Sequence, residues 1–120
     1  MSKLFSALSL VALCLVPTAA VAETSASDLF ALVERLEDSK KRAYEQVIQD
    51  EYYGMIWVKT YLFLKGDNEG LWCPPPEDVL SGAELLQLMK AFVAENPQYG
   101  DSPFGAVILF AVLDKFPCAE

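Results

Sequence analysis

The sequence predicts a small all-α protein, a four-helix bundle (or a bundle of four to five helices) closed by one disulfide. Apolar residues recur at helical spacing in four segments, and no segment shows the alternation that is typical of a strand. Two cysteines remain once an N-terminal leader is removed. Helices joined by short loops bury their apolar faces by packing antiparallel to one another.

Residues 1–22 have the three parts of a cleavable signal peptide. Lys3 is their only charge, an apolar run follows over residues 4–16, and small residues at Ala20 and Ala22 precede Glu23. The apolar run is too short to cross a bilayer as a helix, which needs about 20 residues. We therefore expect cleavage after Ala22, export to the periplasm, and a mature domain over residues 23–120.

The mature chain has the size of one domain and is strongly acidic. Its 98 residues carry 17 acidic and 8 basic side chains, a net charge of −9. Such a surface repels phosphate backbones, so we do not expect nucleic acid as a partner. A basic protein would be attracted to it. The apolar runs near residues 52–64 and 104–113 are too short for membrane insertion after signal cleavage.

The first two predicted helices flank a cluster of charges. Ser27 or Asp28 is expected to cap helix 1, and residues 37–42 are either a break or a solvated stretch. Helix 2 is expected from about Arg42 to Leu64. From Tyr52 onward it is apolar on nearly every side, which predicts the buried centre of the bundle, with a short strand as the alternative.

Turn and cap residues delimit the last two helices. Residues 66–70 predict a turn, and three prolines after Cys73 predict an extended segment. Ser81 and Glu84 form the pattern of a capping box at the start of helix 3, which must end by Asn96 because a proline follows. Ser102 and Pro103 are expected as N-cap and first residue of helix 4.

Residues that could carry chemistry are few. The chain has no histidine, so the commonest general base and metal ligand are missing, and no metal or cofactor is expected. The carboxylate pairs, Glu34 with Glu37 or Asp38 and Asp50 with Glu51, fit a solvated acidic face. We do not expect an enzyme. Cys14 leaves with the signal peptide, so Cys73 and Cys118 are expected to form a structural disulfide.

Two aromatic residues lie in predicted loops. Trp72 follows Gly70, and Tyr99 precedes Gly100. Exposed loop aromatics are favoured as interface anchors. The alternative is that each ring covers the edge of the core.

The order of these motifs resembles the Rap/Tai family of type VI secretion immunity proteins. The likeness covers nearly all of the mature chain: Ser27-Asp28-Leu29-Phe30, a helix with Gly54, Trp72-Cys73-Pro74-Pro75-Pro76, a helix ending Glu95-Asn96-Pro97, and the closing Phe116-Pro117-Cys118. Many members have a second cysteine pair, whose approximate counterparts here are Val33 and Tyr52.

The resemblance implies an all-helical periplasmic protein that binds a peptidoglycan amidase effector and occludes its active site, often as a homodimer. It also implies a disulfide between Cys73 and Cys118. We expect contacts from the Gly66–Trp72 turn and the Asn96–Pro103 loop. Trp72 and Tyr99 would be the anchors, and Asp67, Glu69 and Asp101 would steer a basic partner. The alternative function is a small periplasmic acid-stress chaperone of the helical, single-disulfide kind.

Overall fold

A computed structural model describes residues 23–66, 71–74 and 80–119. The signal-peptide prediction for residues 1–22, and the predicted contact residues Asp67 and Glu69, lie outside these ranges. The described ranges hold four α-helices and one 3₁₀ turn, and no strand: α1 (Ala26–Glu34), α2 (Asp38–Leu64), α3 (Gly82–Glu95), the 3₁₀ turn (Pro97–Tyr99) and α4 (Phe104–Lys115). The predicted fold class, an all-α bundle with one disulfide, is confirmed.

The N-cap of helix α1 lies two or three residues before the predicted one. Ser25 is the N-cap, and its hydroxyl accepts the N–H of Asp28 at 3.2 Å. The preceding chain is held extended against the start of α4, since Phe104 N–H donates to Thr24 O at 3.1 Å. This pairing fixes Ser25 in the extended backbone that precedes a helix, so the prediction of Ser27 or Asp28 is wrong.

Helix α2 is longer than predicted. It begins at Asp38 rather than near Arg42, and only residues 35–37 separate it from α1. The charge cluster is therefore mostly the solvated first turns of a helix. Asp38 lies in the first turn, where a carboxylate interacts favourably with the helix dipole.

Helix α3 has the predicted boundaries. The Ser81 N–H donates to Glu84 Oε2 at 2.7 Å, and the Glu84 N–H donates to Ser81 Oγ at 3.2 Å, which completes the capping box. The Ser81 hydroxyl also donates to Glu84 Oε2, at 2.8 Å. The backbone N–H of Ser81 first, and its hydroxyl second, lower the pKa of Glu84 below its ordinary value of 4.5. The helix ends at Glu95, before Asn96.

Helix α4 starts one residue later than predicted. Pro103 is its N-cap and Phe104 its first residue. Ser102 cannot open the helix because its carbonyl accepts the N–H of Ala26 at 2.9 Å. Phe116 ends α4, as predicted.

The core lies where α1, α3 and α4 meet the first half of α2. Its fully buried members are apolar, and α2 contributes only Ile48 and Tyr52: the others are Ala26, Leu29, Val33, Trp72, Leu85, Leu86, Met89, Val107, Ile108, Ala111 and Val112. Gly82 lets α3 approach α2 closely, because a Cβ there would overlap the backbone carbonyl of Glu45.

The predicted disulfide is present between Cys73 and Cys118, whose Cα atoms are 4.8 Å apart. The Cys73 N–H also donates to the carbonyl of Phe116 at 2.8 Å. The bridge and this hydrogen bond hold the segment that contains Trp72 against the end of α4.

Candidate protein-binding surface

The second half of α2 is largely exposed, so the prediction that it forms the buried centre of the bundle is wrong. Trp57 is 74% exposed, Phe63 63% and Leu64 77%. The reason is length: at 1.5 Å per residue, the 27 residues of α2 extend about 40 Å, roughly twice the length of α3 or α4. The shorter helices cannot cover both ends of α2 or surround it.

Four exposed apolar side chains follow one face of this half-helix. Tyr53, Trp57, Tyr61 and Leu64 are spaced four, four and three residues apart, which puts them on the side opposite the core residues Ile48 and Tyr52. We call these four residues the aromatic stripe. A contiguous exposed apolar surface of this kind marks an interaction site in soluble proteins, and Trp and Tyr are enriched at interface centres.

A groove of about 370 Å³ runs along one side of the aromatic stripe. Gly54 lines this groove, and the apolar part of the lining comes from α2, α4 and the segment after α2, through Met55, Val58, Leu71 and Leu109. Asp50 and Glu51 are the charged residues that line it. We call this space the acidic groove.

A second groove, of about 280 Å³, lies on the other flank of α2 and is lined by Lys59 and Phe63 among others. Trp72 lines both grooves from below. Its ring lies 6.5 Å from that of Tyr52, and the Lys59 ammonium lies 5.0 Å from the ring centre and donates to the Trp72 carbonyl. Within the described ranges no acceptor reaches the buried indole N–H of Trp72.

The predicted loop anchors are placed differently by the structure. Trp72 is 1% exposed, so the expectation of an exposed loop aromatic is wrong for this residue, because the disulfide holds its ring under α2. Tyr99 is half-buried, with ring centres 5.4 Å from Phe92 and 5.2 Å from Phe110. Both rings thus take part in the core or its edge. Asp101 is exposed.

The carboxylates considered in the sequence are spread over the surface. Glu34, Glu37, Asp38, Asp50 and Glu51 are all exposed, as a solvated face requires. Glu34 pairs with Lys90 at 3.3 Å. Among the described residues, no three acidic or cysteine side chains are grouped to hold a metal ion.

Comparison with protein-family models, with curated proteins and with solved structures finds no match to this chain. None of the helices that the structure describes is both long enough and apolar enough to cross a membrane.

The sequence patterns did not lead us to predict the aromatic stripe, which is the main exposed apolar feature of α2. The sequence nevertheless contains a signal for this stripe. The helix has a second apolar face opposite the face that packs in the core, and the three other helices cannot bury both. The i, i+4, i+8, i+11 spacing of its members identifies that second face. The acidic groove had no such signal, because its walls come from three separate parts of the chain.

Proposed function

We propose that this chain is an exported binding protein of the immunity type that its motifs resemble, and that it neutralises a peptidoglycan amidase effector by occluding its active site. The observation that carries the proposal is the aromatic stripe on a rigid helix, with Trp57 74% exposed at its centre. A preformed aromatic surface on a helix contributes affinity with little loss of conformational entropy on binding.

Two further features support a protein partner over a small ligand. Both grooves flanking α2 are shallow and share walls with the exposed half-helix, so a partner that covers the stripe would also cover the grooves. The mature net charge of −9 favours encounter with a basic surface. In this proposal the partner also contacts the Asn96–Pro103 loop, in which Asp101 is exposed.

The test is inhibition of a peptidoglycan amidase effector encoded beside this chain, and the absence of any such gene would count against the proposal. The purified mature protein is titrated into the enzyme with peptidoglycan as substrate. We expect stoichiometric inhibition, weakened by about a thousandfold in the double variant Trp57→Ala/Tyr61→Ala, since aromatic hot-spot residues contribute about 2 kcal/mol or more each. Val47→Ala is the matched control because Val47 is an exposed apolar residue of α2 outside the stripe. Full enzyme activity at excess inhibitor would refute the proposal.

The second candidate is a periplasmic acid-stress chaperone, which the same exposed stripe favours. A surface that binds unfolded clients is apolar, and the 17 carboxylates of the chain lose their charge in acid. This function predicts suppression of client aggregation at roughly pH 2–3 and none near neutral pH. Inhibition of the amidase at neutral pH is expected only from the first function.

A further inference from the structure

We infer that the acidic groove receives a lysine or arginine side chain of the protein partner, with the aliphatic stem against the apolar walls and the charged end beside Asp50 and Glu51. The inference rests on the proposed function for the nature of the partner. It names the interaction, between a basic side chain and the groove, by which the chain would recognise that partner.

The shape and lining of the groove fit a long basic side chain. Its volume of about 370 Å³ lies near the lower end of the range for ligand pockets, which suits one or two side chains better than a large ligand. Met55, Val58 and Leu109 supply apolar walls, and lysine and arginine place their methylene stems along such surfaces while their charges stay near polar groups.

The charges at the groove are uncompensated within the described chain. A Cβ built on Gly105 would lie 3.0 Å from a carboxylate oxygen of Glu51 and 3.0 Å from one of Glu23, so these two negative groups converge on one point of α4. Asp50 accepts a hydrogen bond from the neutral amide of Gln46 at 2.8 Å. Among residues 23–66, 71–74 and 80–119 the one ion pair is that of Lys90 with Glu34. In the mature chain Glu23 carries the α-ammonium group, whereas Asp50 has no ion-pair partner among the described residues, and a basic side chain of the partner would supply one.

Gly54 gives an independent reason to expect an occupant. It lies inside a long helix, where glycine is unfavourable, and a Cβ there would meet no atom within 4 Å. Packing within the chain therefore does not require a glycine. Without a side chain at this position, the helix backbone that lines the acidic groove is open to an external group.

The first experiment uses a probe that does not depend on the amidase. The ¹⁵N-labelled mature protein is titrated with Nα-acetyl-argininamide and, separately, with its uncharged citrulline analogue. We expect saturable shifts of the Gly54, Val58 and Leu109 amides with the arginine probe, and binding about tenfold weaker or weaker still with citrulline. Absence of shifts at the groove, or equal shifts around Glu37 and Asp38, would overturn the inference.

Matched variants separate the groove from general acidity. Asp50→Asn/Glu51→Gln should lose the arginine response, whereas Glu37→Gln/Asp38→Asn, an adjacent exposed pair at the start of the same helix, should keep it. Gly54→Trp fills the groove and should abolish binding. Ala43→Trp, at an exposed position of α2 outside the groove, should not.

The same variants in the amidase assay distinguish the two proposals. Inhibition that is lost in Trp57→Ala/Tyr61→Ala but unchanged in Gly54→Trp would overturn the groove inference and leave the proposed function standing. Arginine binding at the groove without any amidase inhibition would overturn the proposed function and leave the groove inference standing. A wild-type dimer in sedimentation that Gly54→Trp dissociates would show a second copy in the groove and would also overturn the inference.

Discussion

Removal of the Cys73–Cys118 bridge should cost this domain much of its stability. The double variant Cys73→Ser/Cys118→Ser is the appropriate perturbation, because Cys73 is exposed and Cys118 is only half-buried, so the serine hydroxyls remain close to water. The bridge spans 45 residues. Loop-closure entropy for a loop of that length gives about 4 kcal/mol at room temperature.

That loss is large beside the total of about 5–15 kcal/mol that is typical of small domains. The assay is urea unfolding of the mature protein, followed by helical circular dichroism. We expect the free energy of unfolding to fall by about 4 kcal/mol in the variant, with a similar fall for the wild type under reducing conditions. Reductant should leave the variant unchanged, which controls for nonspecific effects.

A loss below about 1 kcal/mol would refute the reasoning. It would mean that the segment around Trp72 and the end of α4 stay together in the unfolded ensemble without the bridge.

Further predictions concern glycines and the capping box. Gly82→Ala should destabilise by about 1–3 kcal/mol or more, because its Cβ would overlap the Glu45 carbonyl, whereas Gly54→Ala should stabilise by about 0.5–1 kcal/mol. Urea unfolding checks both, and equal effects would contradict the close approach of α3 to α2. Ser81→Ala should cost about 1 kcal/mol, and unchanged thermal stability would argue against the cap. The pKa of Glu84 is lowered in the folded state, so the stability that its charge contributes is present above its ordinary value of 4.5 and is lost as the pH falls through the lowered pKa. The difference in melting temperature between wild type and Glu84→Gln should therefore shrink between neutral pH and about pH 3, and a constant difference would refute this origin.

The local signals in the sequence predicted most of the fold. Four helices, the Ser81 capping box and the Cys73–Cys118 bridge are present. Each depends on neighbouring residues or on the cysteine count. The start of α1 and the start of α4 were misplaced because the two segments hydrogen-bond to each other, through Ala26 to Ser102, and short-range sequence patterns do not contain that pairing.

The exposed face of α2 and the acidic groove were not predicted from the sequence. Apolar character alone does not tell whether Trp57 or Trp72 is buried, since burial depends on how far the other helices reach along α2. The structure reverses the expectation for both: the loop tryptophan Trp72 is buried, and the helix tryptophan Trp57 is exposed. The acidic groove depends on three separate chain segments and follows only from their packing.

The most direct test of the aromatic stripe uses the two tryptophans as reporters. The mature chain is labelled with 5-fluorotryptophan, the two ¹⁹F resonances are assigned with Trp57→Phe, and the amidase of the inhibition assay is added. We predict that the Trp57 resonance shifts or broadens on binding, and more strongly than that of Trp72, which is buried beneath the two grooves that it lines. Inhibition of the amidase with no change at Trp57 would contradict the account, because the partner would then bind away from the exposed half of α2.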